Sequence, residues 1–169
     1  MASRAMAKVR AKTKEALTSL SGYPGIFSHL AGEHAEVASL MKQVSSSGES
    51  EVADELFPEI RKKLLAHAKA EEKEFYAPLR NAPPTKALVA KALEQHKQIE
   101  EYVEQLHTGS TSTKAWMTTF EKFMHAVEGH IAMEEHELFP AAKDVLSNQQ
   151  AKDMERRYSE AESQQTAHL

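Results

Sequence analysis

Histidine and glutamate recur together in this sequence, at a spacing that suits a metal site. The motif His-x-x-x-Glu-Glu-x-Glu begins at His67 and again at His130. Four residues make about one helical turn, so on a helix each histidine shares a face with the following Glu71 or Glu134. Imidazole nitrogens and carboxylate oxygens together suit iron, manganese or zinc. The repeat therefore predicts two matching halves of one metal centre.

Two further histidines complete each half. Glu33-His34 lies 33 residues before His67, and Gln95-His96 lies 34 residues before His130. Each half of the chain thus supplies two histidines and one glutamate. A glutamate one turn after a histidine can bridge two metal ions, so we expect two ions that share both glutamates. The candidate metal ligands are His34, His67, Glu71, His96, His130 and Glu134.

Four long helices are predicted to position these side chains. Apolar residues recur at three- and four-residue steps, and no stretch alternates with the period of a strand. Polar loops rich in helix breakers separate the periodic segments at 45–48, 81–85 and 108–113. The predicted helices cover about 25–45, 50–80, 85–107 and 113–146. Short loops make neighbouring helices antiparallel, so the predicted fold is an all-α, up-down-up-down four-helix bundle.

In each predicted helix a histidine lies in the middle of an otherwise apolar stripe. A buried carboxylate is costly unless it is paired, protonated or bound to metal. A single core histidine would be read as a hydrogen-bonded structural residue. The repetition on four helices favours the metal site instead. The stripes centre on Leu30-x-x-x-His34, Leu64-x-x-His67, Ala92-x-x-x-His96 and Val127-x-x-His130.

The two ends of the chain lie outside the predicted bundle of residues 25–146. Residues 1–24 form a basic N-terminal arm. This arm is interpreted as a surface helix, with a transit peptide or a docking arm for an anionic partner as alternatives. Residues 147–169 form a C-terminal segment. There Ser147 and Gln150 make a capping box for a short helix through Tyr158.

Composition narrows the function further. The chain has no cysteine, which excludes disulfides, thiolate metal sites and cysteine nucleophiles, and which suits a cytoplasmic protein. No apolar run is long enough to span a membrane, and no secretory signal is visible. The net charge of −4 gives no support to a nucleic-acid partner. The sequence predicts a soluble protein, and its oligomeric state stays open.

The sequence resembles the hemerythrin-like, or HHE cation-binding, family over about residues 25–146. The resemblance rests on the two HxxxEE motifs, each followed by an apolar pair and a proline (Pro78 and Pro140), and on Glu33-His34 and Gln95-His96. It implies an antiparallel four-helix bundle with two iron ions, bridged by an oxo or hydroxo group. Iron rather than manganese or zinc rests on this resemblance, as does reaction with dioxygen or related small molecules.

One position departs from the oxygen carriers of that family. They place a second histidine one turn after the first on the third helix, where this chain has Glu100. With four histidines instead of five, both irons keep an open position, which favours chemistry over reversible carriage. Glu100 as a seventh ligand remains an alternative. The four-His, two-Glu set is similar to that of the repair-of-iron-centres proteins, which answer oxidative and nitrosative stress.

The leading functional hypothesis is a di-iron protein that binds or reduces dioxygen, peroxide or nitric oxide, with an unidentified reductase as a possible partner. The alternative is a metal-dependent iron or oxygen sensor without turnover. Iron storage is disfavoured, because ferritin-like bundles use a Glu-x-x-His spacing that is absent at this site.

The remaining polar residues near the motifs receive weaker predictions. Glu72 and Glu135 either face solvent or bond a ligand histidine, and Tyr23, Tyr76 and Tyr102 are within possible reach of the pocket. The other histidines fall off the stripes and are expected to face solvent, with His29 and His125 as alternative outer-layer residues. They are His29, His107, His125, His136 and His168, the last in a frayed tail.

Overall fold

The computed structural model describes residues 23–168, which are all-helical and contain no strand within that range. Residues 1–22, most of the basic arm, lie outside the described residues. The five long helices are α1 (Ile26–Ser47), α2 (Ser50–Ala70), α3 (Lys86–Thr108), α4 (Lys114–Met133) and α5 (Asn148–His168). The all-α class is confirmed. The antiparallel order and the division into 1–24, 25–146 and 147–169 remain predictions.

Local side-chain chemistry sets several helix ends. Helix α1 ends at Gly48, whose left-handed backbone (φ 65°) lets its N–H donate to the Val44 carbonyl. Helix α4 begins after Thr113, whose hydroxyl accepts from the Trp116 N–H. Ser147 and Gln150 exchange hydrogen bonds of 2.8 and 3.1 Å, so the predicted capping box is confirmed.

The prediction of a short terminal helix is wrong. Helix α5 has 21 residues and continues past Tyr158 to His168, so His168 lies in a helix and not in a frayed tail. Alanine packing explains the extension: Ala161 is 3% exposed and continues the buried stripe of Ala151, Met154 and Tyr158. Small residues leave a weak hydrophobic pattern, which hides this face in the sequence. Helix α5 packs against α1 and α2.

Two apolar clusters lie on either side of a polar layer. On every helix that carries a predicted ligand, one stretch beside the ligand enters the first cluster and the stretch on its other side enters the second. The first cluster contains Phe27, Phe75, Phe139 and the inner face of α5, and the second contains Phe57 and Trp116. The ligands are therefore enclosed by apolar packing. Among residues 23–168, no helix combines the length and apolarity needed to cross a membrane.

Helices α2 and α4 each widen into a π-helix at the metal-site motif. The π segments are Glu71–Tyr76 and Glu134–Leu138, and short α-helical ends, Ala77–Leu79 and Phe139–Lys143, follow them. Each end carries a proline, which lacks an N–H and clashes with the carbonyl four residues earlier in a regular helix. The wider turn brings residues five apart onto one face, so Glu71 lies under Tyr76.

Candidate metal centre

All six predicted ligand side chains meet in the polar layer between the two apolar clusters. The four imidazoles are at most 7% exposed, and both carboxylates are fully buried. Helices α1 and α2 supply His34 and His67, which we call the first half of the centre. Helices α3 and α4 supply His96 and His130, which we call the second half.

The two glutamates lie between the halves. Glu71 Oε2 is 3.2 Å from His67 Nε2 and 3.3 Å from His96 Nε2. Glu134 Oε2 is 3.2 Å from His34 Nε2 and 3.5 Å from His130 Nε2. Each carboxylate therefore contacts one imidazole of each half, as bridging ligands must.

The ligand atoms form two overlapping groups in which all atoms lie within 4.8 Å of one another. One group is His34, His67, Glu71 and Glu134, and the other is Glu71, His96 and His130. Each half of the centre thus has the ligand atoms for one metal ion, and Glu71 belongs to both groups.

Three buried atoms of the centre lack a well-directed hydrogen bond among the described residues: His34 Nε2, Glu71 Oε1 and Glu134 Oε2. Buried polar atoms are nearly always satisfied, and leaving one unsatisfied costs about 1–3 kcal/mol. Cations placed among them would satisfy all three atoms. The donor set is one that transition metals take. The residues present therefore fit a metal centre.

Without metal, protons balance the buried carboxylates. Burial opposes protonation of His34, but the adjacent carboxylates of Glu134 and Glu135 outweigh it and raise its pKa to about 9. Burial is likewise outweighed at His96 by Glu71 and Glu72, and its pKa is also about 9. Burial would raise the pKa of Glu71, but His67 and His96 hold that pKa well below its usual range.

His67 and His130 respond in opposite directions. Burial would lower the pKa of His67, but Glu71 and Glu33 raise it well above its usual value. Burial, reinforced by the charge of His96, lowers the pKa of His130 to about 4. In the metal-free protein near neutral pH, the raised pKa values favour a second proton on His34, His67 and His96, and a metal ion would displace that second proton.

Each ligand imidazole donates its outer N–H to a side chain that fixes its orientation. The Nδ1–acceptor pairs are His34 with Glu135 (2.9 Å), His67 with Glu33 (2.8 Å), His96 with Glu72 (3.2 Å) and His130 with Gln95 (3.2 Å). Glu72 and Glu135 each accept a hydrogen bond from a ligand histidine, which confirms the second of the two alternatives predicted for them. The roles of Glu33 and Gln95 were missed, although both precede a ligand histidine in the repeated pattern.

Tyr76 enters the centre itself. Its hydroxyl donates to Glu134 Oε1 (2.5 Å) and Glu71 Oε2 (3.2 Å), and lies 3.3 Å from His96 Nε2. No regular helical spacing places Tyr76 beside the ligands. The signal was its place five residues after Glu71, which a π-helix turns toward the centre. The matching residue after Glu134 is Phe139, whose ring stacks on His34.

Helix α5 adds an outer layer over the first half alone. The buried Tyr158 hydroxyl donates to Glu33 Oε2 at 2.6 Å, and His29 Nε2 lies 3.2 Å from Glu33 Oε1. The role of Tyr158 was not predicted, because nothing in the sequence shows that α5 returns to the site. His29 is half-buried against these residues, so its solvent-facing prediction is wrong and the outer-layer alternative is the better one.

Other candidates lie away from the ligands. Glu100 pairs with Lys69 at 3.0 Å and belongs to neither ligand group, which disfavours it as a seventh ligand. His125, at 75% side-chain exposure, faces solvent. Tyr23 packs on Phe27, and Tyr102 packs against the second apolar cluster. His107, His136 and His168 are exposed as predicted.

A small cavity reaches the centre. Its volume is about 50 Å³. Its lining combines the four ligand imidazoles with apolar side chains such as Leu64, Ile99 and Val127, and with the charged residues Glu36, Lys63, Glu100 and Glu162. A single water molecule needs roughly 10–15 Å³ of such cavity volume. The cavity therefore admits a few atoms, such as a diatomic molecule or a peroxide, and excludes larger substrates.

Comparison with known proteins identifies the family. The hemerythrin HHE cation-binding domain description matches residues 25–142, well over half of the chain. This chain belongs to the hemerythrin HHE cation-binding domain family. A curated relative, a DNA nickase from Nostoc sp., is 26% identical over 134 residues, 78% of this chain but 37% of the relative. The chain thus spans little more than a third of that relative's length. No solved structure matches the chain.

Proposed function

We propose that this protein holds two iron ions and binds or reduces a small oxidant: dioxygen, peroxide or nitric oxide. The observation that carries the proposal is the bridging position of Glu71 and Glu134, each between one imidazole of each half. His34 and His67 would hold one ion, and His96 and His130 the other. The proposed frame is an antiparallel up-down-up-down four-helix bundle in a cytoplasmic protein.

Two ferrous ions would supply the electrons for binding or reducing the oxidant. The chain itself does the rest. The outer carboxylates hold the imidazoles in place, and the small volume of the cavity limits the size of the ligand. Tyr76 is the proton donor closest to the ligand set, since its hydroxyl already donates to both bridging carboxylates.

The size of the cavity supports a small oxidant over an organic substrate. The cavity holds only a few non-hydrogen atoms.

A second candidate function, metal-dependent sensing, is favoured by one contact. Tyr158 connects α5 to Glu33, and its hydroxyl also lies 2.9 Å from His67 Nδ1. Loading or oxidation of the first half would change the charge that Glu33 faces and so the docking of α5. Under this alternative, hydrogen exchange in α5 changes on metal binding while oxidants are not turned over.

Rapid mixing separates the two functions. The reduced, iron-loaded protein is mixed with dioxygen, hydrogen peroxide and nitric oxide in turn, and the visible spectrum is followed. Repeated consumption of an oxidant in the presence of excess chemical reductant supports turnover. A single stoichiometric adduct, reversed when the gas is removed, contradicts turnover and supports binding or sensing.

The DNA nickase likeness gives no ground to propose DNA cleavage for this chain. The identity is low, the shared part is a minority of the relative, and the net charge of −4 disfavours a nucleic-acid partner. We propose that no nucleic acid binds at the centre, whose ligands are buried. Unchanged migration of labelled DNA with the iron-loaded protein is the expected result.

A further inference from the structure

The two halves of the centre match in their ligands but differ in what holds those ligands. In the first half both imidazoles donate Nδ1–H to carboxylates, Glu135 and Glu33. In the second half His96 donates to the carboxylate of Glu72, but His130 donates to the neutral amide oxygen of Gln95. The difference arises at one pair of matching positions, the residue before the first histidine of each half.

Glu33 is also held more firmly than its counterpart. Its two oxygens accept from His67, from the buried Tyr158 hydroxyl and from His29. These contacts hold the Glu33 carboxylate at 2.8 Å from His67 Nδ1. Gln95 is half-buried beside an open surface cleft that Lys91 and Glu94 also line.

A charged acceptor changes the ligand that it holds. A carboxylate on Nδ1–H pushes electron density toward Nε2, which makes the imidazole a stronger donor to a cation, and a neutral amide does so less. The carboxylate also adds one negative charge a few ångströms from the cation in an environment of low dielectric constant. Both effects act in the same direction, in favour of the first half.

We propose that the two metal positions differ in affinity: the His34–His67 position binds a divalent cation about tenfold more tightly than the His96–His130 position, because Glu33 stands where Gln95 stands. The cation is a divalent transition metal, and the proposal rests on the metal centre proposed above. It predicts that the protein fills in two steps, first half before second half.

Exchange of the two residues tests the proposal. Metal-free protein is titrated with Co²⁺ in competition with a chelator, with the visible absorption of Co²⁺ as readout, for the native chain, E33Q, Q95E and E33Q/Q95E. The native chain has two outer carboxylates in the first half and one in the second, and the double variant reverses these numbers. E33Q has one in each half, and Q95E has two in each half. Binding steps about tenfold apart are expected for the native chain and the double variant, and merged steps for both single variants.

The two single variants should change metal affinity in opposite directions. E33Q should weaken the tighter step about tenfold, and Q95E should strengthen the weaker step about tenfold. Thermal melting of the four metal-free proteins shows whether each of them is folded. If E33Q is unfolded, merging of the two binding steps in Q95E still tests the proposal. An identical separation in all four proteins, or equal steps in the native chain, overturns the proposal. Absence of any Co²⁺ binding in the native chain would instead overturn the metal centre itself.

Discussion

The two halves of the centre are built from one repeated pattern but lie in different surroundings. The first half, His34 and His67, has two outer carboxylates and the cover of α5 through Tyr158. The second half, His96 and His130, has one outer carboxylate, the amide of Gln95, and the hydroxyl of Tyr76 at 3.3 Å from His96. The ligands repeat, and the residues around them do not.

The ligands and the residues around them therefore have different roles. The repeated ligands fix what the centre can bind, because they determine donor type and number. The unmatched residues control each position separately: Glu33 adds charge, Tyr76 adds a proton donor, and Phe139 keeps the matching place beside His34 apolar. Substitutions at the bridging glutamates Glu71 and Glu134 should therefore affect both halves, and substitution of Glu33 or Gln95 mainly the half whose imidazole it holds.

The largest effect is expected for the bridging glutamate Glu71, which belongs to both halves. Glu71→Gln should lower metal affinity by at least roughly 100-fold, because even outer partners of metal ligands contribute 10–100-fold. Metal content after dialysis against a weak chelator should fall from two ions per chain to less than one. Glu137→Gln is the matched control, since this glutamate of the same motif is exposed and should leave the content unchanged. Two ions retained by E71Q would refute the bridging role.

Removal of the cover that α5 provides should come next in size. Gly25 has φ +67°, and a Cβ there would lie 2.5 Å from the Ala151 carbonyl oxygen at the start of α5. Gly25→Ala should lower the free energy of unfolding by about 2–4 kcal/mol through left-handed strain and the clash.

Gly129→Ala is the control for that variant. Nothing lies within 4 Å of a Cβ at Gly129, which is inside helix α4, so the substitution should stabilise the protein by roughly 0.5–1 kcal/mol. Urea unfolding measures both variants. Equal effects of the two substitutions would show that α5 is not seated against Gly25.

The halves should also differ in their titration. The pKa values of His34 and His96 are raised to about 9, and that of His130 is lowered to about 4. A histidine whose pKa is higher in the folded protein than in the unfolded chain, where it is about 6.5, stabilises the fold. This stabilisation is complete below about pH 6.5 and is lost as the pH rises through about 9. The metal-free protein should therefore lose on the order of 2 kcal/mol between pH 7 and pH 9.

Histidine NMR titration combined with urea unfolding tests this prediction. His130 should titrate at lower pH than the other three ligands, and metal-loaded protein should lose the alkaline decline, since metal replaces the protons. Metal affinity should rise over the same pH range. A metal-free protein that becomes more stable toward pH 9 would contradict the charge assignment.

The smallest effect is expected for Tyr76. This residue is polar, whereas Phe139, at the matching position beside His34, is apolar. Tyr76→Phe removes a buried donor from Glu71 and Glu134 and should cost the metal-free protein about 1–2 kcal/mol, a fall in Tm of several degrees. Tyr102→Phe, at a half-buried tyrosine of the second apolar cluster, is the control. A Y76F melting temperature equal to that of Y102F would remove Tyr76 from the centre.

The sequence predicted the helices, and it singled out six side chains that meet in the structure, because helix periodicity and the His-to-Glu step depend on local spacing; their role as metal ligands stays a prediction. Helical periodicity and breaker-rich loops placed four helices to within a few residues, and His67 with Glu71 share a face by turn geometry alone. The place of α5 could not be predicted, because its packing face is short and rich in alanine.

The outer layer was mostly missed for two physical reasons. Tyr76 reaches the centre only because a π-helix adds a residue to the turn, and standard helical spacing directs it elsewhere. Tyr158 reaches Glu33 across 125 residues of chain, a distance that no local pattern encodes. Glu33 and Gln95 were visible as a repeat, but their orientation toward the helix that follows each of them depends on packing between helices.

Metal analysis combined with optical spectra decides whether the protein holds the proposed di-iron centre. Protein purified without added metal is analysed for metal content, and its spectrum is recorded before reduction, after reduction and after exposure to air. A di-iron centre should give about two irons per chain, with near-ultraviolet absorption that is lost on reduction and returns with oxygen. Zinc, one metal ion per chain or none, with a spectrum unchanged by reduction, would contradict it.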